Sequence, residues 1–240
     1  MALTTEEERI KKNAINFAKS HKKTIAKELT DKKIFRPEAN PVSVFMAGSP
    51  GAGKTEASKN LIARLSEDRC QVLCVDPDEL RCRFEDYSGD NSWLFQGAIS
   101  ILVEKTHDLA LKQKQSFLLD GTLSHYGVAK KNIGRSLNKG RMVQILYVYQ
   151  EPHLAWEFVK ARESVEGRRI EPRYFIDQYF SARLVVNRLK TEYRAGIRVD
   201  LLLKNNDNSH RLYKANIDQI DNHVPEKYTR DDIEAMIGTV

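Results

Sequence analysis

An α/β fold, a parallel sheet covered by helices on both faces, is the architecture this chain predicts. Three observations carry it. Apolar, β-rich runs alternate with segments of helical periodicity. Several of those runs are continuously apolar, as strands buried on both faces are. Residues 48–55 read Gly-Ser-Pro-Gly-Ala-Gly-Lys-Thr, a G-x-x-x-x-G-K-T loop set between a strand pattern and a helix pattern. The loop narrows the class to a P-loop NTPase or kinase-like sheet, with a helical extension ahead of it.

The elements follow in order. Residues 5–29 have helical periodicity, with Ile10, Ala14, Phe17, Ala18, Ile25 and Leu29 near one stripe and lysines elsewhere. Thr5 with Glu8 fits a capping box. A connector with Pro37 and Pro41 follows, so residues 1–40 read as a helical extension lying on the core and residues 41–240 as the P-loop domain. Strand 42–47 feeds the loop, and helix 54–67 leaves it. A short strand over 71–75 ends at Asp76-Pro77-Asp78-Glu79, read as a turn. A long helix covers about 92–114. Strand 117–120 ends at Gly121-Thr122, helix 126–138 is stopped by Gly140, and 142–149 is a buried strand. Helices at about 151–165 and 173–194 flank the basic turn Glu166-Gly-Arg-Arg-Ile-Glu-Pro172. Strand 199–203, an Asn/Asp-rich turn at 205–209, an edge strand over 211–218 and a helix over 229–238 capped by Thr229 complete the chain.

The totals exclude several classes. Apolar content is 41% and charged content 30%, ordinary for a soluble globular protein. No apolar run is long enough to span a bilayer, and the acidic start has no signal-peptide core, so no membrane role and a cytoplasmic location are expected. The three cysteines (70, 74, 82) lack C-x-x-C spacing, and the six histidines are scattered, which argues against zinc. Cys70 and Cys74 bracket a strand and read as buried thiols. Net charge is +6, concentrated in residues 1–40 (ten Lys/Arg against six Asp/Glu) and 160–194 (nine against five). Basic residues are not interleaved with aromatics, so a phosphate-rich small-molecule site or a solvated face is favoured over nucleic acid.

Ligands of open parallel sheets bind beyond the carboxyl ends of the strands. In the loop, Gly48, Ser49, Pro50, Gly51, Ala52 and Gly53 bring backbone amides around an anion; Lys54 would contact β- and γ-phosphates and Thr55 would ligate Mg²⁺. The Asn-Lys-x-Asp element that reads a guanine base in GTPases is absent. A motor ATPase pairs its strand-end acid with a second carboxylate, but Asp120 is followed by Gly121-Thr122. A small-molecule kinase needs a P-loop, an acid at the acceptor hydroxyl and arginines to offset charge, and all are available. Asp78 is the base candidate or else part of a capped turn. Asp120 is a water-mediated Mg²⁺ ligand, a hydroxyl-binding acid, or a cap. Arg168-Arg169 is a lid over the nucleotide or a solvated turn. A nucleotide-switched binding module and a polynucleotide kinase are the alternatives.

The ordered set Gly48–Thr55, Asp76-Pro-Asp-Glu-Leu80, Leu119-Asp-Gly-Thr122 and Arg168-Arg-Ile-Glu-Pro172 resembles the zeta toxin family over about residues 40–205. That resemblance implies phosphorylation of the 3′-hydroxyl of UDP-N-acetylglucosamine with ATP or GTP and Mg²⁺. It implies Lys54 on the phosphates, Thr55 on the metal, Asp78 as catalytic base, and Glu104, Asp120 and Thr122 at the substrate. It makes Arg169 one phosphate-directed arginine and Arg183 the nearest match to the second, with Arg173 as rival. Where the family commonly has Glu, this chain has the shorter Asp120. The resemblance also implies an antitoxin-like partner; residues 1–40 are then a restraint in cis or a packed helix.

Overall fold

A computed structural model describes residues 3–67, 71–205, 210–224 and 227–238. Its sheet has six strands in the order β2-β3-β1-β4-β5-β6: β1 Val42–Ala47, β2 Leu73–Val75, β3 Phe117–Leu119, β4 Met142–Tyr149, β5 Arg198–Lys204 and β6 His210–Lys214. The first five run parallel, and β6 returns antiparallel to β5. Side chains of β1 alternate between two cores. Phe45 and Ala47 face α5 (Tyr126–Leu137), α6 (Pro152–Glu166) and α7 (Pro172–Tyr193). Val42, Val44 and Met46 face the apolar side of α2 (Lys54–Glu67). Both faces are covered, so β1 carries no polar alternation.

The helix α1 (Thr5–Leu29) packs along α4 (Gln96–Lys112). Ala14, Ala18 and Ile25 meet Leu94, Phe95, Ala98, Ile99 and Leu102 in a cluster that also takes Leu80 and Phe84. Below it, the Gln115 amide donates to the carbonyls of Thr30 at 3.0 Å and Phe35 at 2.6 Å. The terminal helix α8 (Arg230–Ile237) is capped by Thr229, whose hydroxyl accepts from the Asp232 amide.

Several sequence expectations need correction. The N-terminal capping box is Thr4 with Glu7, one residue earlier than Thr5 with Glu8. Two overlapping Thr-x-x-Glu frames exist, and periodicity does not choose between them. The helix expected over 92–114 is a 3₁₀ turn at Ser92–Phe95 followed by α4. Strand β2 is shorter than 71–75, and β6 ends at Lys214, short of 218. Cys74 is part-buried, because β2 lies at the sheet edge. Cys70 and residues 206–209 of the Asn/Asp-rich turn lie outside the described residues. The turn at 76–79 is the start of a helix, α3 (Pro77–Arg81).

Candidate active site

The register β2–β3 aligns Val75 with Leu119, so Asp76 and Asp120 leave the sheet side by side. The Asp120 amide donates to the Val75 carbonyl at 3.0 Å. Asp76 then caps α3: its Oδ1 accepts from the Asp78 amide at 2.7 Å, Pro77 takes the first helical position, and Asp78 and Glu79 fill the acidic first turn. The same cap that starts the helix therefore aims Asp78 over the carboxyl ends of the strands.

The loop 48–53 curls between β1 and α2. At Gly48 (φ +135°) an added Cβ would lie 2.3 Å from the Val148 carbonyl oxygen. At Gly51 (φ +73°) it would lie 1.9 Å from the carbonyl oxygen of Ala155 in α6. Both positions need glycine for conformation and for space. Lys54 Nζ donates to the carbonyls of Gly48 at 3.1 Å and Ser49 at 2.6 Å. Burial pulls its ammonium down to about 8, against the opposing pull of Asp120 and Asp78.

Loop, strand ends and α6 enclose one cleft of about 650 Å³. Lys54, Thr55, Asp76, Asp78, Asp120 and Thr122 all line it. The Thr122 hydroxyl bonds that of Ser124 at 2.9 Å, and the Thr122 carbonyl accepts from the Gly48 amide at 3.2 Å. Apolar side chains of α6, including Phe158, Val159 and Val165, form the opposite wall.

Three guanidiniums converge on Asp78. Arg81, one turn on in α3 and almost wholly buried, binds Oδ1, and its Nη2 lies 3.4 Å from Gln96 Oε1. Arg168 binds Oδ2. Arg162 Nη2 lies 3.7 Å from Oδ2 and 3.0 Å from Glu166 Oε2. Burial works to raise the Asp78 carboxyl, but Arg168, Arg81 and Arg162 outweigh it and hold the group below the ordinary carboxylate range. The neighbouring acids go the other way. Burial pushes Asp76 up to about 6, and it also raises Asp120, against Lys54. Three carboxylates in one cleft are thus set apart by their neighbours.

Of the loop, residues 50–55 line this cleft and Gly48 and Ser49 do not, and three catalytic or substrate candidates also lie outside it. Arg169 is exposed, and the guanidinium that enters is Arg168, its neighbour in the turn after Gly167 (φ +70°). Arg183 bonds Asp221 at 3.2 Å and stacks near Tyr179 and Phe180, tying α7 to the 3₁₀ turn at Ile220–Asn222. Glu104 is exposed on α4 and pairs with Lys131 of α5 at 2.6 Å. The rival Arg173 is not among the cleft residues either. Arg81, Gln96 and Arg162 reach the site without having been singled out in the sequence. Arg81 carries a usable signal, three residues after an Asp in a Pro-started helix. Arg162 follows only from knowing that α6 walls the cleft.

A parallel 2-3-1-4-5 core with a P-loop after β1 and acids after β2 and β3 defines a P-loop kinase-like protein. The chain belongs to the zeta toxin family, whose model matches residues 25–218. No curated protein sequence matches it. Among solved structures it is similar to a chain from the PezAT chromosomal toxin–antitoxin system of Streptococcus pneumoniae, at 17% identity and a TM-score of 0.63, covering 99% of this chain and 94% of that one. A chain of the AvrRxo1-ORF1:AvrRxo1-ORF2 structure with sulphate ions is similar at 16% identity and a TM-score of 0.60, covering 91% and 72%. The same complex with ATP aligns at 16% identity and a TM-score of 0.56, covering 88% and 67%. At these identities the likeness is one of fold.

Proposed function

We propose that the chain is an ATP- or GTP-dependent kinase that phosphorylates a hydroxyl of a small molecule, with a nucleotide sugar such as UDP-N-acetylglucosamine as the leading acceptor. The observation that carries this is the meeting of Lys54, Asp78 and Arg168 in one cleft of about 650 Å³, within the range of ligand sites. Family membership supports the acceptor, and the ATP complex of the AvrRxo1-ORF1:-ORF2 structure supports the donor.

The loop amides and Lys54 hold the triphosphate. The acceptor hydroxyl donates to Asp78, its oxygen bonds to the γ-phosphorus, and the bond from that phosphorus to the β–γ bridging oxygen breaks. The electron pair leaves on the nucleoside diphosphate, and the hydroxyl proton goes to Asp78. A carboxylate held below its ordinary range still serves here, because a loose phosphoryl transfer asks for orientation more than for a strong base. Arg168 and Arg162 offset charge on the transferring group. The exposed Thr55 hydroxyl and the hard carboxylate oxygens of Asp76 and Asp120 suit Mg²⁺, which takes one or two protein oxygens beside phosphates and would neutralise charge on them. Asp120 and Thr122, with Gln96 from α4, are the groups proposed to bind acceptor hydroxyls. Glu104 would have to leave Lys131 to join them. An antitoxin-like protein partner is proposed from the PezAT likeness.

The test is product identification. Labelled ATP or GTP with Mg²⁺ and UDP-N-acetylglucosamine should yield a phosphorylated nucleotide sugar. Asp78→Asn should lower turnover about 10²–10⁴-fold. Nucleotide binding without any product across nucleotide-sugar, nucleoside and dinucleotide acceptors would sink the kinase reading.

A further inference from the structure

We propose that Arg168 and Arg162 are shared between Asp78 and the donor nucleotide: they occupy the carboxylate until the γ-phosphate draws them off, so that Asp78 is freed for an acceptor only in a site already loaded with donor. This rests on the kinase reading above.

The three guanidiniums on Asp78 are not equivalent. Arg81 is 5% exposed, sits on the same short helix as its partner and lies beside Gln96. Arg168 lies outside any helix, in the turn between the left-handed Gly167 and Pro172. Arg162 is already divided between Glu166 and Asp78. Both of these contacts fall on Oδ2. An acceptor hydroxyl must approach a carboxylate oxygen; Oδ1 is bound by Arg81 of its own helix, whereas both contacts a phosphate could draw away lie on Oδ2. Oδ2 is therefore the atom that the exchange opens to the acceptor.

The donor supplies the means. Arg162 and Arg168 line the same cleft as residues 50–55 of the loop, so a triphosphate seated there lies within their reach. A terminal phosphate carries more charge than a carboxylate and matches the planar guanidinium fork, so it competes well for both. The exchange orders the reaction without moving the backbone scaffold. Donor enters first, the arginines change partner, and Oδ2 then receives the acceptor hydroxyl.

A double-mutant cycle on nucleotide affinity tests the exchange. The probe is a non-hydrolysable ATP analogue with Mg²⁺. It is titrated into the parent protein, Asp78→Asn, Arg168→Ala and the double variant, each checked by thermal unfolding. If the arginines must leave Asp78 to reach phosphate, Asp78→Asn tightens analogue binding on the order of fivefold, the scale of one partly exposed ion pair. In the Arg168→Ala background the same change should shrink toward unity. Equal tightening in both backgrounds is a simple charge effect and overturns the exchange, as does weaker binding by Asp78→Asn. Should Asp78→Asn not fold, Asp78→Ser takes its place in the cycle with the same expectations. Analogue binding by none of the proteins overturns the kinase reading itself, and the exchange with it.

Discussion

The acids and the lysine in the cleft answer differently to pH, and two consequences follow. Lys54 is pulled to about 8 by burial, so its charge is lost as pH rises through 8, where an unperturbed lysine would keep it. Triphosphate affinity is expected to hold to about pH 8 and then weaken, approaching tenfold per pH unit. Lys54→Arg should flatten that profile; an unchanged slope in this variant would assign the titration to another group. Asp76 is raised to about 6, so the folded protein binds its proton more tightly than the unfolded chain. The stability this gives is full below the ordinary carboxylate pKa and is lost as pH rises through 6. Asp76→Asn keeps an acceptor for the Asp78 amide and removes the buried charge. Its Tm should exceed that of the parent at pH 7.5 and match it near pH 4. The loop and the acids were legible in the sequence because backbone chemistry puts them at strand ends. Which of Arg168 and Arg169 turns inward was not, since adjacent residues of an irregular turn share composition and differ only in direction.

At the scale of elements, the turn after α6 meets the stretch before α4 backbone to backbone. A Cβ added at Gly89 (φ +86°) would lie 2.7 Å from the Glu166 carbonyl oxygen and 3.1 Å from the Gly167 carbonyl carbon. Gly89→Ala should cost about 1–2 kcal/mol in backbone strain and push the turn carrying Arg168 outward. Limited proteolysis after Arg168 or Arg169 should speed up; an unchanged cleavage rate would show that the two segments do not hold each other. Helix α3 shows why some elements escape a periodicity search. At five residues it is too short to have a period, and only its cap and Pro77 announce it. Strands β1 and β4, by contrast, were read to the residue, because burial on both faces leaves a mostly apolar run, broken only by Ser43 and Gln144, between Pro41 and Gly48 or between Arg141 and Gln150.

Across the whole molecule, α1 serves the site at one remove. Among the described residues none of α1 lines the cleft, yet α1 covers the α4 face that meets Leu80 and Phe84 beside α3. Deleting residues 1–36 uncovers Leu94, Phe95, Ile99 and Leu102, each worth roughly 1.5–3 kcal/mol when fully buried. The shortened chain should lose Tm steeply or aggregate, and a stable, fully active product would show that α1 is a dispensable appendage. This packing was legible as a stripe but not as a destination, since nothing in residues 5–29 names α4 as its partner. The contact of Gly51 with Ala155 joins other distant parts of the chain. There is no clearance between the crown of the phosphate loop and the first turn of α6. Two segments far apart in sequence therefore share a single mechanical tolerance, and α6 is geared to the loop it rests on. Drift at either one must be matched by drift at the other, so changes at the two should be inherited in pairs.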